Sequence, residues 1–185
     1  MEFITTYTGE DFAPLTPDIN KIHIEDIAHA LSLMCRANGH FDYFYSIAQH
    51  SVNCANEAKA LKYSARIQMA CLIHDASEAY ISDITRPVKQ HLNEYKIIEA
   101  RLQNIIYEKY LGSILFEDEN ESLTQIDNNM LITEFNSLMS RKKVFTEIPT
   151  IHSTPSFAYK DHKDSETEFL KTYYGILHAG LIQGK

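Results

Sequence analysis

Tryptophan is absent from this sequence, and glycine, proline and cysteine are sparse, with six, five and three copies in 185 residues. So few glycines and prolines leave few obligatory turns, and strand-like alternation is scarce, so a mostly helical chain is expected. The three cysteines, Cys35, Cys54 and Cys71, are odd in number and form no CxxC pair. Each falls in a helical apolar pattern, which suits reduced core thiols and a cytoplasmic protein. No segment approaches the roughly 20 apolar residues of a membrane span, so no membrane partner is expected. The start, Met1-Glu2-Phe3-Ile4, has neither the basic residues nor the apolar stretch of a secretory leader. Cations are also in deficit, 17 Lys and Arg against 25 Asp and Glu, a net charge of -8. That balance speaks against polymeric nucleic acid as a partner, because such binding neutralises many phosphates. A small anionic substrate needs only a few local cations, and Arg86 to Lys89 and Arg141-Lys142-Lys143 are the places where they gather.

What is present is an ordinary globular balance of 44% hydrophobic and 23% charged residues. It suits one domain over 1–185 with a core that needs no staples. Residues 1–22 read as an irregular lead-in with Gly9, Pro14 and Pro17. Helices are expected over about 24–37, 46–61, 64–80, 87–111, 120–140 and 164–182, giving about six main helices. Ser46 and Ser64 are candidate caps, and Pro87 suits a first helical turn. An acidic linker at 117–121 and a loop over 141–162 separate the later helices.

The stretch Met69 to Asp83, MACLIHDASEAYISD, begins as core and then places a histidine and three carboxylates within ten residues. A buried carboxylate without a partner is costly, so a salt bridge, a metal or a water-filled cleft must compensate it. Projected at 100° per residue, Asp127 falls in the apolar stripe of Leu123, Met130, Leu131 and Leu138, and Glu134 lies on the same stripe. His50 sits at the margin of the stripe of its helix, one turn from Ile47 and one from Cys54. Taken singly, a marginal histidine or a buried aspartate is more often structural. Together, His50, His74, Asp75 and Asp127 form a mixed N/O set from three helices, suited to one divalent metal with positions left for water.

His50, then His74-Asp75, then Asp127 resembles the H...HD...D signature of the HD-domain metal-dependent phosphohydrolases over about residues 20–140. HDASEAYISDITRPVK is similar to the segment of bacterial HD-domain 5'-deoxynucleotidases. IEDIAHALS and YSIAQHS resemble the small phage and bacterial members that include dATP triphosphohydrolases. The resemblance implies an all-α helical bundle with those four residues on one metal (Co, Mn, Zn, Ni, Fe or Mg). It implies catalytic roles for Glu78 and Asp83, a phosphate contact for Arg36, and a place near the phosphate for Lys89. It also implies a nucleotide substrate and self-association as a homo-oligomer.

Spacing is compatible with these roles: Glu78 follows His74 by four residues, and Asp83 comes just past the expected helix end. Arg36 shares a face of the first expected helix with Glu25, His29 and Ser32, either a solvated stripe or a wall of the site. Lys89 reads equally as a surface lysine. One departure stands out: where the deoxynucleotidases carry a bulky aromatic after the arginine, this chain has Ala37. Phe41, Tyr43, Phe44 or Tyr45 are substitutes for it, although packing is the default for that loop. Glu134 is expected to orient a ligand histidine or to pair with Arg36. The expected activity is hydrolysis of a 5' phosphoester, as a 5'-deoxynucleotidase or a dNTP triphosphohydrolase. The competing reading is a non-catalytic helical module for signalling or assembly.

Overall fold

The computed structural model describes residues 2–183, so the two ends of the expected 1–185 domain lie outside the described residues. Among the described residues a short antiparallel hairpin, β1 (Ile4–Thr5) with β2 (Asp11–Phe12), precedes eight α-helices. These are α1 (Ile24–Leu33), α2 (Ile47–Ala60), α3 (Ala65–Ile73), α4 (Glu78–Ile81), α5 (Arg86–Lys89), α6 (Asn93–Leu111), α7 (Glu117–Leu138) and α8 (His162–Gln183). Six of them run nine residues or longer, and the class is all-α as expected. Among the described residues, no helix is long and apolar enough to cross a membrane.

The core is one cluster in which α2 and α3 are packed by α1, α7 and α8, centred on Ile27, Leu31, Ile47, Leu72, Met130 and Phe169. A smaller cluster of Phe41, Tyr45 and Leu138 sits under the loop before α2. Ser46 caps α2 with a capping box, its hydroxyl accepting from the Gln49 backbone amide while the Gln49 side-chain oxygen accepts from the Ser46 amide.

Several boundaries depart from the sequence reading, each for a nameable reason. The lead-in contains the hairpin and a 3-10 turn at Ile19–Lys21. The first helix stops at Leu33, because the Ile47 amide donates to the Met34 carbonyl and the Arg36 amide to the Tyr45 carbonyl across a bridge between Cys35 and Ser46. Cys35 is consequently exposed and is not a core thiol, whereas Cys54 and Cys71 are buried. The residues 117–121 are no linker but the first turn of α7, where three carboxylates face the positive end of the helix dipole. Glu119 is held there by two bonds from Arg66, which also binds the Leu111 and Ile114 carbonyls and closes the α6–α7 connection.

The expected third helix is broken after Ile73. In a continuous helix the Ser77 amide would donate to the Ile73 carbonyl. Instead the Gln103 side chain from α6 occupies that bond, donating to the Ile73 carbonyl at 2.8 Å and accepting from the Ser77 amide at 3.1 Å. An inserted side chain is a recognised cause of a kink. Here it turns residues 74–77 into tight turns with bonds from Ala76 to Ile73 and from Glu78 to Asp75.

The segment 141–161 has no helix or strand, yet it is tied down. Gln49, Asn53 and Glu57, spaced four apart on α2, bind the backbone of Ala158, Ser156 and His152-Ser153 in turn. This ladder explains why the three polar side chains are buried in the core-facing helix.

Candidate active site

His50, one turn into α2, has no solvent exposure. Its Nδ1 lies 2.7 Å from Glu134 Oε1 on α7. A carboxylate only accepts, so Nδ1 carries a hydrogen, and in the neutral ring Nε2 holds the lone pair. His74, at the end of α3, is fixed the same way: its Nδ1 donates to the Cys71 carbonyl at 2.9 Å. The two Nε2 atoms face each other at 3.2 Å, and with both rings neutral they are two acceptors that cannot bond to one another. Asp127 Oδ1 lies 3.1 Å from the His50 Nε2 and 3.8 Å from that of His74. Asp75 Oδ2 lies 3.3 Å from the His74 Nε2 and 3.9 Å from that of His50.

Donors about 2.1 Å from a common cation lie about 3.0–3.4 Å apart when adjacent and about 4.2 Å when opposite. The observed separations, from 3.1 to 3.9 Å, lie within that range. Two lone pairs and two carboxylates converging on one point therefore fit a divalent cation. Protons are drawn to the same point. Burial opposes a charge on either imidazole, and Arg36 opposes one on His50, but the surrounding anionic groups win and both histidines sit above their ordinary range. Burial likewise opposes ionisation of Asp127, and the two histidines reverse that and hold it far below the usual carboxylate range.

The structure thus brings His50, His74, Asp75 and Asp127 together. Glu134 makes both contacts that the sequence left as alternatives, binding His50 through Oε1 and Arg36 through Oε2 at 3.1 Å, and it accepts the Tyr45 hydroxyl as well. One neighbour was missed. Cys54 Sγ lies 3.5 Å from the His50 Nε2, and His50, Cys54, His74 and Asp127 can each bring a donor atom within 4.8 Å of the others. The available signal was its spacing, one helical turn after His50. Burial pushes this thiol up to about 11, so it stays protonated against the imidazole.

Beside the cluster opens a cavity of about 570 Å³. Glu78 and Asp83 both line it, with Asp75 and Asp127. Glu78 begins α4, so the Gln103 kink decides its direction, and Ser82, at φ 69°, turns the chain towards Asp83. Glu78 Oε2 is buried without a hydrogen-bond partner, and burial followed by the charges of Asp75 and Asp83 raises this carboxyl well above the usual range.

Arg36 also lines the cavity, but from the 3-10 turn Arg36–Gly39 and not from α1. It therefore shares no helical face with Glu25, His29 and Ser32. His29 instead stacks on Tyr7 and pairs with Glu166. Ala37 lines the cavity in a left-handed conformation (φ 52°), while none of Phe41, Tyr43, Phe44 and Tyr45 does. The aromatic in the wall is Phe135 of α7, next to Leu131. Lys89 lines it too, bound to Glu99 at 2.7 Å, whereas Arg141, Lys142 and Lys143 are not part of the lining.

A model of the HD domain family matches residues 36–172, and the chain belongs to that family. Among curated proteins it is similar to the uncharacterized protein YfdR of Escherichia coli strain K12, 40% identical over 110 residues, 60% of this chain and 59% of that protein. It is also similar to an uncharacterized protein of Rhodobacter capsulatus, 35% identical over 109 residues, 56% of this chain and 55% of the relative. The match thus spans less than two thirds of either relative. Family membership suggests metal-dependent phosphohydrolase chemistry, and the His/Cys/His/Asp group, with His50 and Cys54 buried and His74 and Asp127 partly so, fits a metal site.

Proposed function

We propose that the chain hydrolyses the 5' phosphoester of a nucleotide, as a deoxynucleoside monophosphatase or a dNTP triphosphohydrolase. The observation that carries this reading is the convergence of two lone-pair imidazole nitrogens and two carboxylates at one wall of a cavity that also holds Glu78 and Asp83. His50, His74, Asp75 and Asp127 would hold a divalent cation, which would supply Lewis acidity towards water and a phosphoryl oxygen. Glu134 and the Cys71 carbonyl hold both imidazoles in the tautomer that leaves Nε2 free. Water attacks phosphorus in line and the bond to the 5' oxygen breaks. Glu78, with its raised basicity and unpartnered oxygen, takes the proton of the attacking water. The departing oxygen takes up that proton, handed on by Glu78 or through Asp83, whose roles are interchangeable, so both carboxyls end as they began. Arg36 and Lys89 add positive charge to the walls, and Leu131, Phe135 and Pro87 offer an apolar surface for sugar and base. A cytoplasmic homo-oligomer acting on a free nucleotide belongs to the same proposal.

The deciding experiment incubates the protein with dAMP and with dATP, in the presence of Mn, Co, Zn or Mg, and separates phosphate from triphosphate. Release of either product supports the reading and names the reaction. Asp83→Ala is expected to abolish turnover while metal content and melting temperature stay as in the wild type. No product with any of the four metals, from either nucleotide, leaves the non-catalytic module as the better account.

A further inference from the structure

Three cations line the cavity, and they differ in what already neutralises them. Arg36 spends Nε on Glu134 and its two terminal nitrogens on Asp75 and Asp127, each at 3.5 Å. Lys89 is bound to Glu99, with Glu78 at 3.8 Å. Arg86 is different. Both of its terminal nitrogens reach one neutral atom, Asn128 Oδ1, at 3.4 Å each, and its carboxylate contact is Asp127 Oδ2 at 4.0 Å. Its side chain is 64% exposed, against 15% for Arg36 and 24% for Lys89.

Two long bonds shared on a single amide oxygen use little of a planar guanidinium, whose fork matches a pair of anionic oxygens far better. The placement suits that use. Arg86 is the first residue of α5, and Asn128 follows Asp127 on α7, so Arg86 stands in the cavity wall beside a metal-facing carboxylate. Asp75, Glu78, Asp83 and Asp127 already outnumber Arg36 and Lys89 in the lining, so an incoming anion gains most from the cation they do not saturate.

We propose that Arg86 is the anion-binding residue of this cavity: its guanidinium leaves Asn128 and grips two oxygens of the substrate's phosphoryl group. Asn128 is its resting partner. Arg36 then acts through the carboxylates it holds in place. The naming of the anion as phosphate rests on the phosphohydrolase reading.

Calorimetric titration of the Mn-loaded protein with inorganic phosphate and with pyrophosphate tests this without requiring turnover. Arg86→Gln is expected to weaken both by about tenfold or more, the loss of a charge-assisted pair. Arg86→Lys falls between, since an ammonium keeps the charge and loses the fork. Asn128→Ala, which removes only the resting partner, binds as tightly as the wild type or tighter. Arg86→Gln with affinity within about twofold of wild type overturns the assignment, as does a wild-type protein that binds neither anion. Should the wild type hydrolyse no nucleotide while Arg86→Gln still loses phosphate affinity, the hydrolase reading fails and the Arg86 assignment stands.

Discussion

Glu134 shows how much one side chain can settle. It is fully buried and serves three donors at once: the His50 Nδ1, the Arg36 Nε and the Tyr45 hydroxyl. Burial alone would keep it protonated, but His50 and Arg36 outweigh burial and hold it ionised below the usual range. Glu134→Gln turns an acceptor into a donor against at least one of these partners and leaves a buried guanidinium short of a counter-charge. Metal affinity, read by titration, should fall about 10- to 100-fold, as for lost outer ligands of other metal sites. Stability in EDTA, read by urea unfolding, should fall by about 3 kcal/mol, the scale of a broken buried ion pair. At this scale the sequence was informative where a polar residue interrupted an apolar stripe, as at Asp127 and Glu134. It marked Arg86 only as one member of a basic run, because a cation there reads the same whether it faces solvent or a cavity.

At the level of elements, the kink at 74–77 matters most for the site. Gln103→Ala removes the inserted amide and lets the Ser77 amide bond directly to the Ile73 carbonyl, so α3 runs on into α4. Asp75 and Glu78 then rotate away from the cluster. Metal affinity is expected to drop at least about tenfold, with a change in unfolding free energy of only about 1 kcal/mol; titration and urea denaturation of the same sample separate the two. The segment 141–161 carries the second element-scale prediction. Burial would raise the Glu57 carboxyl, but bonds from Ser153 and His152 outweigh it and hold it below its ordinary value. A depressed carboxylate stabilises the fold above its unfolded pKa, about 4.3, and that contribution is lost as pH falls through the folded value. Glu57→Gln should therefore cost about 2 kcal/mol at pH 7 and progressively less as pH falls below about 4. Amide exchange at 152–158 should speed up in the same variant.

On the scale of the molecule, α2, α3 and α7 meet at a point where two carboxylates and two imidazoles crowd together. A cation that binds this arrangement but not the unfolded chain stabilises the fold by mass action, about 2.7 kcal/mol at a concentration 100 times its dissociation constant. Thermal melts with EDTA and with excess Mn should differ accordingly, and His74→Ala should remove the difference. A melting temperature indifferent to metal in the wild type would count against a cation at this centre.

The sequence by itself determined the helical class, the number of long helices and the residues able to meet at one centre. All of these follow from short-range rules: a 3.6-residue period, scarce glycine and proline, and charge placed on an apolar stripe. The ends of the elements were decided elsewhere. The first helix stops at Leu33 for bonds made by Tyr45 and Ile47, and the third breaks at Ile73 for a side chain that arrives from Gln103, 30 residues away in the chain. Tertiary structure alone decided which cations are spent and which remain available, since neutralisation depends on partners far apart in sequence: Glu134 lies 98 positions from Arg36, and Asn128 lies 42 from Arg86. A local pattern can announce a charged group, but only the packed chain brings the counter-charge that fixes what the group is free to do.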